Sequence, residues 1–124
     1  MEKARLTGFP RLKAAWFNSL NGLRDVWKTE EAFRIEAAAL IASVPFAYWL
    51  GETVFNAAIL CGVVLLILIV EVLNTAVEAV VDRIGPERHE LSRIAKDPGS
   101  LAVVMASVLA GIIWLAALYD RVFA

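Results

Sequence analysis

Apolar residues in this chain gather in three blocks, Ala37 to Leu50, Val54 to Leu73 and Leu101 to Tyr119, with polar residues at their edges. Blocks of this kind predict helices that cross a bilayer, whose hydrocarbon core of ~30 Å takes about twenty residues. Ahead of them Leu12, Trp16, Leu20, Leu23 and Trp27 recur at steps of four and three, with Lys13, Asn21, Arg24 and Lys28 on the other side. That pattern predicts an amphipathic helix over Pro10–Trp27 lying in the membrane interface; an ordinary helix packed on protein is the alternative. The expected fold is all-α integral membrane: an N-terminal segment and surface helix over 1–28, then a three-span domain over 29–124. Its spans are expected near 30–50, 54–84 and 100–119.

Local signals set the expected boundaries. Thr29 is a candidate N-cap for the first membrane helix, with Glu30 and Glu31 in its positive first turn. Pro45 removes a hydrogen bond to Ile41 and is expected to kink that helix. Gly51, Glu52 and Thr53 make a short turn. The next helix is expected to run from Val54 to about Ile84, where Gly85-Pro86 stops it, giving a length of roughly 46 Å. This exceeds the hydrocarbon core, so its end must project as a polar extension. Asp97-Pro98 reads as N-cap and first residue of the third span.

Within the long second helix, Glu71, Asn74, Glu78 and Asp82 recur at spacings of three, four and four. At about 100° per residue they fall within an arc of roughly 80°, on one face. If the core ends near Leu73, Glu71 lies just inside the boundary and Glu78 and Asp82 lie outside it. A charge at mid-membrane costs about 2.5–3.5 kcal/mol. An interhelical hydrogen bond returns about 0.6 kcal/mol. Holding helices together does not justify a carboxylate at the depth of Glu71, and the stripe is the place to expect chemistry.

Composition and charge sharpen this picture. The apolar fraction is 60%, above the ~45–50% of soluble proteins. Every Lys and Arg except Arg121 lies before the first apolar block or between Arg83 and Lys96, and the Gly51–Thr53 turn has none. The positive-inside rule therefore puts the N-terminus and second loop in the cytoplasm and the C-terminus outside. No early apolar stretch resembles a secretion signal, so the chain is expected to insert by its own spans. Tyr48 and Trp49 are then interface anchors at the outer surface. The single cysteine, Cys61, rules out an intrachain disulfide.

The residues converging on the cytoplasmic side suit phosphoryl transfer. Mg²⁺ takes one or two carboxylates with phosphate oxygens and water, and Glu30 and Glu78, at similar depth on neighbouring helices, offer that pair. Glu71 suits a general base acting on a hydroxyl. Lys96 suits phosphate neutralisation. Asn74 reads equally as an interhelical hydrogen bond or a participant in the chemistry. Asp82 reads as an ion pair with Arg83 or as part of the site, and His89 as a solvated loop residue or a ligand. No Gly-rich phosphate loop of the soluble kinases is present. Three helices cannot easily enclose Glu71, Glu78 and Asp82, so self-association is expected.

The run EVLNTAVEAVVDRIGPERHELSRIAKDPGS, Glu71 to Ser100, resembles the signature of the bacterial integral-membrane diacylglycerol kinases. TGFPR (Thr7 to Arg11), NGLR (Asn21 to Arg24) and EEAFRIE (Glu30 to Glu36) resemble that family in the same order, and the similarity spans Thr7 to Trp114. The resemblance implies ATP-dependent phosphorylation of the free hydroxyl of diacylglycerol to phosphatidic acid, with Mg²⁺, in the bacterial inner membrane. It also implies a homotrimer with active sites between subunits. By the resemblance Glu71 is the catalytic base, and Glu30 and Glu78 hold the metal. Arg11, Asn18, Glu87, Arg88, His89, Lys96 and Asp97, with Glu30 and Glu78, match nucleotide-contacting positions. Ser19, Arg24, Trp27, Phe33, Arg34, Glu36 and Ser100, with Arg11 and Glu71, match positions lining the lipid cleft. Asn74 and Asp82 support them. Asn18 departs from the pattern, which has an aromatic residue beside Ser19. Pro98 within KD-GS and Pro10 before Arg11 depart as well.

Three rivals stand beside this reading. A relative acting on undecaprenol would use the same chemistry on a longer lipid alcohol. A small proton-coupled transporter would need polar residues across the membrane, yet Val54 to Val70 offers only Asn56 and Cys61. A structural helper subunit would turn over no ATP.

Overall fold

The computed structural model describes residues 4–124, all helical apart from short breaks; Lys3, expected on the cytoplasmic side, lies outside the described residues. The first helix, α1, spans Gly8–Thr29, longer at both ends than the predicted Pro10–Trp27. Thr29 is its last residue, not the cap of the next helix: its hydroxyl donates back to the Asp25 carbonyl at 2.8 Å. One extended residue, Glu30, separates α1 from α2, Glu31–Gly51. Its N–H donates to the Val26 carbonyl and its carbonyl accepts from the Arg34 N–H, so it closes one helix and opens the next. The Arg34 guanidinium donates to the Trp27 carbonyl at 2.6 Å, serving a carbonyl that the end of α1 leaves without an intrahelical donor.

Helix α2 runs through Pro45 without a break and ends where Glu52 turns left-handed, φ 64°. Thr53 then caps α3, Val54–Ile84, its side chain accepting from the Asn56 N–H at 3.1 Å. These 31 residues give the predicted bounds, and Gly85-Pro86 ends the helix as expected. The fourth helix, α4, spans Glu90–Phe123. Here the sequence signal at Asp97-Pro98 was misleading. His89 is the N-cap, with Nδ1 accepting from the Leu91 N–H at 3.0 Å, and Asp97 and Pro98 lie inside the helix. Contacts to α3 on either side of Pro98, described below, hold α4 continuous where local sequence would begin a helix.

Helices α2, α3 and α4 are each long and apolar enough to cross a membrane. The chain is a multi-pass helical membrane protein. α3 lies between α2 and α4 and packs on both, while α1 meets α2. One apolar cluster, Val26, Phe33 and Leu68, ties α1 and α2 to α3, with Trp27 edge-on to Phe33 at 6.4 Å. A second, Ala47, Ala57 and Leu60, sits at the other end beside Ile113, Trp114 and Ala117 of α4. Most large apolar side chains are exposed, Phe55 and Leu115 among them. Lipid or further protein must cover such a surface.

Candidate active site

Glu71 is the one buried charged residue among the described residues, 8% exposed. α3 places it one turn after Leu68, so the apolar cluster at the base of α1 and α2 lies beneath it. The charges of Glu30 and Glu78 reach it, and its own charge reaches Glu36 on α2. Glu30, predicted in a first helical turn, instead occupies the single extended residue between α1 and α2. The fold thereby brings four carboxylates, from α2, α3 and the α1–α2 junction, near enough for their charges to act on one another through Glu71. Among the described residues no three His, Cys, Asp or Glu side chains form a ready-made metal cluster. A two-carboxylate site completed by phosphate oxygens, the kind that suits Mg²⁺, requires none.

Helix α4 closes the other flank. Gly99 faces Asn74 so closely that a Cβ there would meet the Asn74 amide oxygen and force that side chain to shift. Asn74 donates to the Glu78 carboxylate at 3.4 Å. Lys96 donates to Asp82 at 2.8 Å. Asp82 therefore pairs with Lys96 across the helices, not with Arg83 beside it, because consecutive residues on a helix do not face each other. Outside the membrane-spanning stretch, this hydrogen bond holds the Lys96 ammonium above its ordinary range, with the charge of Glu78 adding to it. Asp97 accepts from Arg93 at 3.1 Å, and Arg93 also pairs with Glu90.

The remaining sequence-predicted residues lie further out. Arg11, Asn18 and Ser19 are exposed on α1, and Ser19 donates to the Ala15 carbonyl. Arg24, Trp27 and Phe33 line an apolar groove of about 420 Å³ between α1 and α2. Glu87 and Arg88 are exposed in the turn before His89, and Ser100 is exposed on α4. No hydrogen bond or ion pair among the described residues joins these to the stripe. Glu36 has a buried carboxylate oxygen without a partner, as have the Asn74 amide oxygen and the Thr75 hydroxyl. Thr75 and Gly99 escaped the sequence reading. The signal for Thr75 was its place in the sequence: four residues after Glu71, it lies about 40° round the helix from it.

Three membrane-length helices with a buried carboxylate at one end define a membrane protein built around a polar site. The model of the prokaryotic diacylglycerol kinase family matches residues 17–118. The diacylglycerol kinase of Escherichia coli strain K12 is 48% identical over 93% of this chain and 94% of its own length. That of Haemophilus influenzae is 44% identical over 89% and 93%, and that of Pseudomonas aeruginosa 40% identical over 87% and 88%. The chain belongs to the prokaryotic diacylglycerol kinase family, and it is an enzyme, a lipid kinase.

Proposed function

We propose that the enzyme transfers the γ-phosphoryl group of ATP to the free hydroxyl of diacylglycerol, giving phosphatidic acid. The observation that carries this reading is the burial of Glu71 on a face shared with Asn74 and Glu78 and within reach of the charge of Glu30. Glu71 accepts the proton of the lipid hydroxyl as its oxygen forms the new bond to phosphorus. The bond from phosphorus to the bridging oxygen breaks, and ADP leaves with that electron pair. Glu30 and Glu78 would hold Mg²⁺, which when bound neutralises charge on the ATP phosphates. Phosphoryl transfer asks mainly for positioning and charge neutralisation, so a small helical protein suffices. Lys96, held by Asp82, adds a cation on the α4 side, and the groove of Arg24, Trp27 and Phe33 suits the lipid. Arg11, Asn18, Glu87 to His89 and Asp97 serve the nucleotide; Ser19, Arg34, Glu36 and Ser100 border the lipid cleft.

The wider assembly belongs to the same reading. Residues 4–28 belong to a surface segment, with the exposed Leu12, Trp16, Leu20 and Leu23 of α1 in the membrane interface. Residues 29–124 form the membrane domain of a homotrimer in the bacterial inner membrane. The asymmetry of Lys and Arg puts the Glu71 end in the cytoplasm. Cysteine labelling of intact cells, in a Cys61-free background, is expected to mark position 52 and spare position 88; labelling at 88 reverses the orientation.

The activity test uses purified full-length protein in mixed micelles with γ-labelled ATP and either diacylglycerol or undecaprenol. Label should appear in phosphatidic acid and depend on Mg²⁺. Labelling of undecaprenol alone would move the substrate to a polyprenyl alcohol, and no lipid label at all would overturn the reading.

A further inference from the structure

The buried polar atoms without a partner among the described residues are Glu36 Oε2, Asn74 Oδ1 and Thr75 Oγ1. All three belong to the neighbourhood of Glu71: Asn74 and Thr75 follow it by about one turn on α3, and its charge reaches Glu36 on α2. Glu36 and Asn74 already have places in the proposed site. Thr75 has none.

Several hydroxyls elsewhere in the helices bond back to a carbonyl one turn earlier: Ser19 to Ala15, Thr29 to Asp25 and Ser107 to Val103 at 2.8, 2.8 and 2.9 Å, and Ser43 to Leu40 at 2.7 Å. A helical threonine has two favoured rotamers, which is what makes that bond available to it. Thr75 has the same acceptor in the Glu71 carbonyl, yet its hydroxyl oxygen is buried and unbonded. A buried hydroxyl left without a partner is unfavourable. The oxygen is closed off in this structure; four residues after Glu71 on the same face, it would be satisfied by a small polar group admitted beside that carboxylate.

We propose that Thr75 orients the acceptor, its hydroxyl hydrogen-bonding the free hydroxyl of the lipid and aiming it at Glu71. The inference rests on the lipid-kinase reading of the same site. The Thr75 O–H donates to one lone pair of the acceptor oxygen, the acceptor O–H donates to the Glu71 carboxylate, and the second lone pair attacks phosphorus. The acceptor proton passes to Glu71 as the new O–P bond forms and ADP departs. Thr75 keeps its proton throughout.

The test compares wild type, Thr75→Val and Thr75→Ser in full-length trimer-forming protein, with diacylglycerol and ATP varied separately. Valine fills the threonine volume without the hydroxyl, and misplacing a reacting group by about 1 Å can reduce rate on the order of 10²-fold. Thr75→Val should lower lipid-dependent kcat/KM by about 10- to 100-fold, leaving the KM for ATP and the assembly state unchanged, and Thr75→Ser should restore it. If Thr75→Val does not assemble, Thr75→Ala carries the same expectation. Wild-type turnover in Thr75→Val overturns the proposal. So does a Thr75→Ser as slow as Thr75→Val, or a parallel rise in the KM for ATP, since either marks a packing role. A wild-type protein inactive on diacylglycerol takes down the lipid-kinase reading and this inference together, whereas an active wild type with fast Thr75→Val removes Thr75 alone.

Discussion

At the Gly51–Thr53 end of the bundle, polar groups find partners within the protein. Thr53 takes the Asn56 N–H, the Asn56 amide donates to the Gly51 carbonyl at 2.9 Å, and the Trp114 indole donates to the Leu60 carbonyl at 3.0 Å. Arg121 pairs with Glu52 at 3.4 Å and lies 5.1 Å from the centre of the Trp49 ring. Gly51 is buried, Ala47 is fully covered, and a Cβ on Gly51 would stand 2.7 Å from the Ala57 nitrogen. At the Glu71 end the buried oxygens of Glu36, Asn74 and Thr75 have no partner, and the charges of Glu30 and Glu78 bear on Glu71, whose own charge bears on Glu36. Buried polar groups are normally paired. Where they are paired they help to hold the helices together; where they are not, hydrogen bonds are left to be made.

That contrast is open to direct test, beginning with the largest effect. Glu71→Gln should lower kcat by about 10²–10⁴-fold, the range of general base catalysis, without lowering the thermal midpoint of the protein. Near-normal turnover in a well-folded Glu71→Gln protein would move the base elsewhere. Gly51→Val should do the opposite. Overpacking costs typically about 1–3 kcal/mol, so this variant should unfold at a lower temperature while the surviving protein keeps its kcat. A normal midpoint would mean that the Gly51–Ala57 approach contributes little.

Smaller shifts divide the acidic end further. Glu30→Asp and Glu78→Asp should raise the Mg²⁺ or Mn²⁺ concentration needed for half-maximal rate, by roughly tenfold if each loses about 1.4 kcal/mol of metal affinity. The lipid KM should stay nearly unchanged, and the double variant should lose less than the two singles together, because the pair acts as one unit. Metal titrations like wild type with a raised lipid KM would reassign both residues to the lipid cleft. The smallest effect is expected at Arg121→Gln. An exposed ion pair is worth about 0.2–1 kcal/mol, so the midpoint should fall slightly and activity should not change. A large loss of activity there would break the division between the ends.

Periodicity and composition alone carried much of this protein. Three apolar blocks are dictated by the ~30 Å they must cross, and the Val54–Ile84 helix appears with the predicted bounds. The stripe of Glu71, Asn74, Glu78 and Asp82 follows from helical spacing, so its shared face needed no tertiary information. The start of α4 was different. Asp97-Pro98 matches a local N-terminal signal, but His89 caps the helix earlier and packing across the α3–α4 contact decides the outcome. The partner of Asp82 was equally hidden, because Lys96 lies fourteen residues away and only the fold brings it across. Thr29 offered a cap, yet the chain turns at Glu30 and sets that carboxylate at the junction of two helices. Which helix faces carry polar atoms was therefore written in the sequence through the pitch of the α-helix. Which of those atoms are satisfied depends on distances between helices, and those only the tertiary structure decided.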